Sequence, residues 1–432
     1  MTSVDSPPTP ARLLAGLDRP DHRADLAAHV AIHGPLPLPG RGDGGWANRF
    51  LAEVEASGLT GRGGAAFPTG RKLAFIATQR RRPVVVVNAT EGEPASHKDD
   101  VLAVSAPHLV LDGADLVARA LGASAIRVAV ARDRPRSLRA YERAVAERRS
   151  AGLIVVDDVS VSDAPARYVT GEESALAQWL DGGEARPTFR PDRPAVVTVG
   201  RRPVVLDNAE TLAHLALIAR HGASWFRQVG PPDAPGTALV TVSGAVSAPG
   251  VFEVPLGTPV ETIVTSAGAA PVAGVLVGGY GGGWLPADRL ATPYAPGPLA
   301  LHGARPGPGV VVVDRAGCGL AETARIVRWM AGESAGQCGP CVFGLPAVAD
   351  DLAQLVSGRP GRALVERLGH RLAQVEGRGA CRHPDGVVHL VRSAMNAFAA
   401  DLDQHLHRGP CPGVRRPTLM ALPERTGDEP WR

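Results

Sequence analysis

Three apolar runs rich in β-branched residues, Val84 to Val87, Ile126 to Val130 and Leu153 to Val156, recur with helical stretches between them. Nothing else in the chain constrains its fold so tightly. An unbroken apolar strand is one buried on both faces, as happens when a parallel sheet is covered by its own crossover helices. The alternation therefore predicts an α/β layer fold. With 432 residues the chain exceeds what one core accommodates, and further domains are expected.

Residues 1–45 are rich in Pro, Gly and His and periodic only in patches, which predicts a loosely held lead-in with order starting near Trp46. Phe50, Leu51 and Val54 fit a short helix stopped by Gly58. Around Gly236 the texture changes to short strands, Ala238 to Val242 and Val251 to Val254, about the turn Ala248-Pro249-Gly250. The run from Gly278 to Gly283 reads as a flexible turn within this small β-rich unit. After the linker Pro306-Gly307-Pro308-Gly309, Val310 to Val313 adds one strand, and Leu320 to Met330, Leu345 to Leu355 and Val387 to Leu402 read as amphipathic helices. The tail from Arg415 is expected to be flexible.

With 46 basic and 43 acidic residues, a net charge of +3 and no long basic run, the chain has no electrostatic footprint for nucleic acid or a membrane surface. No apolar run approaches the ~18 residues of a membrane span. The start, through Pro7, Pro8, Arg12 and Asp18, lacks the apolar core of a signal peptide, which predicts a cytoplasmic protein without membrane insertion. Five cysteines, three of them in a spaced set near the end, suggest metal chemistry in a reducing compartment over a disulfide frame.

Two lysines, Lys72 and Lys98, stand among those 46 basic residues, and both fall within one short stretch. A chain driven so far towards arginine keeps lysine where a compact point charge is needed. Lys72 closes the loop Gly61-Arg62-Gly63-Gly64-Ala65-Ala66-Phe67-Pro68-Thr69-Gly70, whose backbone N–H groups can cradle a phosphate. The loop matches neither a Rossmann fingerprint nor a P-loop, and a plain turn is its other reading. Directly after the Val84 to Val87 strand, Asn88-Ala89-Thr90-Glu91-Gly92-Glu93-Pro94 places an amide and two carboxylates at the carboxyl end of the sheet, where open α/β sheets bind ligands. A solvated acidic turn paired with Lys98 is the alternative. In Tyr168-Val169-Thr170-Gly171-Glu172-Glu173, Thr170 and Glu173 make a capping box, which leaves Glu172 and the tyrosine for a pocket. Asp207-Asn208-Ala209-Glu210-Thr211 opens another helix with polar groups.

These four segments, in this order, resemble the flavin-bearing, NADH-binding subunit of respiratory complex I and its relatives in NAD-linked hydrogenases and formate dehydrogenases. The resemblance runs from about Phe50 to Leu402. It implies a Rossmann-like FMN/NADH α/β domain, then a small β-grasp (soluble-ligand-binding) domain, then a C-terminal helical iron–sulfur domain. The expected partition is a lead-in over 1–45, the flavin domain over 46–235, the β-grasp domain over 236–309, the helical domain over 310–411 and a flexible tail over 412–432. By the same resemblance FMN is held by Gly61, Arg62, Gly63, Gly64, Lys72, Asn88, Tyr168, Gly171, Glu172, Asn208 and Thr211, with Glu91 in the same acidic loop. Phe67 and Phe75 would flank NADH, with Glu93 and Glu173 near its ribose and nicotinamide; for the two phenylalanines plain core packing is the other reading. No acid or base is assigned, because hydride transfer to a flavin needs alignment and exclusion of water above all.

Cys338-Gly339-Pro340-Cys341 and the distant Cys381 match the family's 4Fe-4S cysteines, except that the first position is Ala335. Four ligands are the norm for such a cluster, so water, Ser334, His383, Cys411 or a three-iron cluster could fill the vacancy. Zinc held by the three cysteines and His383 and a thioredoxin-type dithiol are the competing readings. Cys318 reads as a buried small hydrophobe. Three further departures are Thr90 for an aspartate, Asp207 for an asparagine and Arg193 for an aromatic residue, the last opening NADPH as a cofactor. The expected function is an NADH:acceptor oxidoreductase subunit that passes electrons to an iron–sulfur partner, ferredoxin-like or thioredoxin-like and carrying a 2Fe-2S centre. A non-catalytic scaffold subunit is the alternative.

Overall fold

Two of the three predicted runs become central strands. The computed structural model describes residues 11–432 apart from 18, 20, 41, 190–195, 270, 359 and 425–429; Arg193 therefore lies outside the described residues. Strands β1 (Val84–Ala89), β2 (Ala125–Ala131), β3 (Val159–Ala164), β4 (Thr198–Val199) and β5 (Arg202–Asn208) form a sheet in the order β3-β2-β1-β5-β4. All neighbours are parallel except β4 with β5. Around the sheet pack α1 (Leu26–His33), α2 (Trp46–Ser57), α3 (Thr69–Ala77), α4 (Lys98–Ser105), α5 (Pro107–Leu121), α6 (Pro135–Ser150), α7 (Glu173–Leu180) and α8 (Ala209–Phe226). Val85, Val86 and Val87 are fully buried, as an unbroken apolar strand covered on both faces must be. The strand order reverses between β1 and β5, which opens a crevice at their carboxyl ends.

The third predicted strand is displaced. Leu153 to Val156 lies in the connection after α6, and Val159–Ala164 is the strand, registered with Ile126 opposite Val159. It alternates and is only half-buried because it is an edge strand, so its apolar content is lower than that of the connection beside it.

The second sheet contains β6 (Thr237–Gly244), β7 (Gly250–Pro255), β8 (Val272–Val277), β9 (Gly283–Pro286) and β10 (Gly309–Asp314), in the order β7-β6-β10-β8-β9. Helices α9 (Val260–Ser266) and α10 (Pro296–Ala300) complete this unit. Val310 to Val313, expected to open the helical region, instead lies mid-sheet, parallel to β6 and antiparallel to β8. Its two faces serve two cores: Val310 and Val312 pack with Val240 and Val275, whereas Val311 and Val313 pack with the helices that follow.

Those helices are α11 (Gly319–Gly332), α12 (Leu345–Ser357), α13 (Arg362–Val375), α14 (His383–Ala397) and α15 (Ala399–Arg408). The single helix expected over Val387 to Leu402 is two, broken at Phe398, whose ring turns inward to meet Trp284 edge-on at 4.9 Å.

Both chain ends are better held than their composition predicts. In the lead-in Leu13 is fully buried. Glu253 accepts the backbone N–H groups of Arg12, Leu13 and Leu14 at 2.8–3.1 Å, and the Arg12 guanidinium lies 4.0 Å over the Trp225 ring. In the tail Met420 is buried, the Tyr280 hydroxyl donates to the Ala421 carbonyl at 2.6 Å, and Ala185 N–H donates to the Trp431 carbonyl at 2.6 Å. Low periodicity hid these segments because they are anchored by specific hydrogen bonds to other elements and not by a continuous apolar stripe. No single helix is long and apolar enough to cross a membrane; the pair α4 and α5, apolar enough together, is bent by 94° and contributes to the first core.

Candidate functional site

The glycine loop is tied down at both ends. Gly61 N–H donates to the Phe67 carbonyl at 2.9 Å, and Arg62 N–H donates to Thr211 Oγ1 at 2.9 Å. The Arg62 guanidinium turns away, donating to Thr60 and to the Thr237 carbonyl at 3.0 Å, so it clamps the loop to the β-grasp sheet. Gly64 has φ of +95° and a Cβ there would meet nothing within 4 Å. That conformation suits glycine and leaves its backbone facing open space.

The open space is a cavity of about 300 Å³ at the β1/β5 crevice, and residues from all three regions of the chain line it. Arg62, Gly63 and Gly64 form one wall, Asn88, Thr90, Glu91, Glu93, Lys98, Asp99 and Asn208 the floor, and Tyr168, Gly171 and Glu172 another wall. Gly278, Gly281 and Arg305 of the β-grasp unit, with Cys381 and His383 of the helical region, close it. A wider trough of about 1280 Å³ between α1 and α6 contains none of the motif residues.

Several predicted residues act as props behind this lining. Thr211 is buried and holds the loop through Arg62. Lys72 donates to the Leu206 carbonyl at 2.7 Å and to Asp207 Oδ1 at 2.8 Å and does not line the cavity. Burial lowers its pKa, but Asp207 and Glu173 outweigh burial and hold it above the ordinary value. Lys98, without an assigned partner in the sequence, lines the cavity and is almost wholly buried: it pairs with Asp99 at 2.8 Å and Glu210 at 3.0 Å and donates to Asn208 Oδ1 at 2.6 Å. Phe67 and Phe75 are 53% and 42% exposed, so core packing does not account for either. The expected Thr170/Glu173 capping box is replaced by Glu172, which caps α7 by accepting Ser174 and Ala175 N–H at 3.0 and 3.1 Å. A glutamate can cap from the preceding residue because its longer arm reaches the same two donors.

The acidic loop is under strain and partly protonated. Glu91 sits at φ +35°, unusual for a residue with a side chain, and accepts the N–H groups of Asp99 and Asp100 at 2.9 and 3.0 Å, capping α4. Burial, then the charge of Asp99, pushes its carboxyl up to about 7. Burial likewise pushes Glu93 up to about 7, against hydrogen bonds from Ala95 N–H, from Tyr280 N–H at 2.9 Å and from the Tyr168 hydroxyl at 3.3 Å. The Gly278 to Gly283 run is a wall and not a free turn: a Cβ on Gly279 would stand 2.5 Å from the Glu93 carboxyl carbon.

Tyr168 links the cavity to the cysteines. Its N–H donates to Glu333 at 3.1 Å, and its ring meets Trp329 at 5.7 Å and His383 at 5.4 Å. Cys341 is buried with its thiol pushed up by burial and then by Cys338 and Cys381, which brings the three predicted thiols into one electrostatic neighbourhood. Ser334 is in hydrogen-bonding contact with Cys341, and His383, hydrogen-bonded through Nε2 to the Met330 carbonyl at 2.9 Å, keeps a buried Nδ1 without a partner. Cys411 lies beside Cys318 and His405 instead, which removes it from the vacancy at Ala335. Cys318 is more than a small hydrophobe, since its Sγ accepts Ala321 N–H at 3.4 Å and caps α11.

Three family descriptions match in register with this geometry. The Nuo51 FMN-binding domain matches residues 54–217, the SLBB domain residues 239–279, and the NADH-ubiquinone oxidoreductase-F iron-sulfur binding region residues 321–405. A second NADH-quinone oxidoreductase F chain of Rhizobium meliloti (strain 1021) is 32% identical over 374 residues, 83% of this chain and 89% of its own length. The chain belongs to the family of NADH dehydrogenase flavoprotein subunits. Within it, the mitochondrial NADH dehydrogenase [ubiquinone] flavoprotein 1 of Dictyostelium discoideum is 30% identical over 83% of this chain and 78% of that protein. The crystal structure of an NAD+-reducing [NiFe]-hydrogenase in the air-oxidized state superposes with a TM-score of 0.77 at 32% identity, covering 95% of this chain and 69% of that one. In the H2-reduced state the TM-score is 0.76 and the coverage 87% and 64%. The relatives named as subunits work alongside other chains.

The cavity residues Lys98, Asp99, Arg305, His383 and Gly281 were not singled out as ligands from sequence. Lys98 carried a signal as one of two lysines; the others had none, because they reach the cavity only through tertiary packing.

Proposed function

We propose that this chain oxidises NADH at an FMN held in the β1/β5 cavity and delivers electrons through an iron–sulfur cluster to a partner subunit carrying a 2Fe-2S centre of ferredoxin-like or thioredoxin-like type, in a cytoplasmic complex. The observation that carries this reading is the shared lining: the glycine loop, the acidic loop and Cys381 face one cavity. The residues fit a flavin phosphate, since Gly63 and Gly64 line open space with no side chain in the way and nearby Lys72 supplies positive charge. Bound FMN would supply the exchange between two-electron hydride chemistry and one-electron transfer. The protein's part is to align rings and exclude water, worth several kcal/mol of barrier.

In this arrangement Gly63 and Gly64 cradle the phosphate, with Lys98 as a buried cation in the cavity floor, and Asn88 and Asn208 orient the ring system. Phe67 and Phe75 stack the dinucleotide from outside. Glu93 and Glu173 lie towards its ribose and nicotinamide, and carboxylates there disfavour the extra phosphate of NADPH. Cys338, Cys341 and Cys381 fit three corners of a cluster, with Ser334 and His383 available at the fourth. A thioredoxin-type dithiol is disfavoured because the Cys338-Gly339-Pro340-Cys341 segment follows a helix, α11, and not the strand that such a motif needs.

The scaffold alternative rests on Ala335 and Thr90. One anaerobic absorption spectrum, taken before and after NADH and then NADPH, separates the readings. Flavin bleached by NADH supports the proposal; flavin unmoved by either nucleotide, or no flavin at all, supports the scaffold.

A further inference from the structure

We propose that Cys318, His405 and Cys411 bind one divalent ion of the zinc class, separate from the iron–sulfur cysteines, and that this ion staples the C-terminal segment to the helical region. The ligand atoms of these three residues all lie within 4.8 Å of one another, the one such group among the described residues. Cys318 Sγ stands 3.5 Å from His405 Nε2. The edge between a sulfur at 2.3 Å and a nitrogen at 2.0–2.1 Å around tetrahedral zinc is about 3.6 Å. The pair is thus already spaced as two ligands of one ion. Cys338, Cys341 and Cys381 do not meet the same spacing, as befits thiolates that each bind a separate iron.

The two sets sit at opposite ends of α11. Cys318 caps its first turn and Cys338 follows its last, and a helix of 14 residues spans about 21 Å at 1.5 Å per residue. The donors come from three separate places in the chain: the loop before α11, the last turn of α15, and the segment after it. They are brought together by close backbone contact, since a Cβ on Gly413 would stand 2.7 Å from the Gly317 carbonyl carbon. Cys318 and His405 are buried while Cys411 is half-buried, which leaves an entry for the ion and for water in the fourth position.

Electrostatics favours a cation here. The charge of Asp401 acts on both the Cys318 thiol and the His405 ring, and burial holds the Cys318 thiol protonated unless a positive charge compensates. The N-terminal end of α11 further favours a thiolate at Cys318. A nitrogen and two sulfurs in tetrahedral spacing suit zinc above calcium or magnesium, which prefer oxygen. The ion would lock Cys411 in place, and with it the tail whose Ala421 carbonyl holds Tyr280, itself bonded to Glu93 at the cavity.

The test uses the full chain purified anaerobically without chelator. Plasma mass spectrometry is expected to find about one zinc per chain, falling by about tenfold or more in Cys411→Ser and in His405→Gln while iron is unchanged. Loading the wild type with Co2+ is expected to give a thiolate-to-cobalt charge-transfer band that survives Cys338→Ser and disappears in Cys411→Ser. Absence of zinc together with no cobalt band in the wild type overturns the proposal without reliance on any variant. So does loss of iron in place of zinc on Cys411→Ser, or a Cys318–Cys411 disulfide found by peptide mapping of fresh protein.

Discussion

At the scale of single residues the site is a set of buried charges with unequal solutions. Glu93 has its carboxyl raised from an ordinary 4.5 to about 7, chiefly by burial. The native state then keeps a proton that the unfolded chain releases between pH 4.5 and pH 7. Stability from this group is greatest below pH 4.5 and is lost as pH rises through 7, to a total of about 3 kcal/mol. Glu93→Gln has no such proton to lose, so urea denaturation across that range should show the gap between wild type and variant changing by about that amount; parallel curves would refute the account. Lys72 is the contrasting case, a cation neutralised by Asp207 where the family carries an asparagine. Asp207→Asn should return its charge to the flavin and tighten FMN binding by up to about tenfold, about 1.4 kcal/mol, as read by quenching of flavin fluorescence. Unchanged affinity would mean that the lysine charge does not reach the phosphate. The lysine bias in the sequence pointed to both positions but reversed their standing: Lys98 lines the cavity, and Lys72 stands behind it.

At the scale of elements, α5 and α8 approach so closely over the sheet that a Cβ on Gly113 would stand 1.9 Å from the Leu212 carbonyl oxygen. Because the obstacle is backbone and not a flexible side chain, Gly113→Ala should destabilise the chain by about 2–3 kcal/mol or more, measurable as a lower urea midpoint at unchanged slope. The apolar runs of β1 and β2 were legible because strands covered on both faces must be continuously apolar. The edge strand β3 was misplaced for the converse reason, since half-burial relaxes the requirement for apolar residues. The break at Phe398 was illegible because the helical period continues across it; the break reflects the fit of one ring against Trp284.

At the scale of the whole molecule the cores are joined and not merely adjacent. β10 turns alternate valines to the β-grasp core and to the helical core, and the tail crosses back to Tyr280. Truncation after Arg416 removes the burial of Met420 and the bond to Ala421, and should lower stability by about 2–3 kcal/mol from the lost apolar burial alone. Thermal unfolding monitored by circular dichroism checks this; an unchanged transition would show the tail to be passive. By itself the sequence determined the element types wherever burial is continuous, the family through its glycine and acidic loops, and the identity of the three cluster thiols. Only the tertiary structure decided that the Gly278 to Gly283 run walls the cavity, that Cys411 joins Cys318 and His405, and that both chain ends are anchored. The physical reason is one of range: periodicity and capping act over a few residues, whereas these contacts join segments tens to hundreds of residues apart and leave no local pattern in the chain.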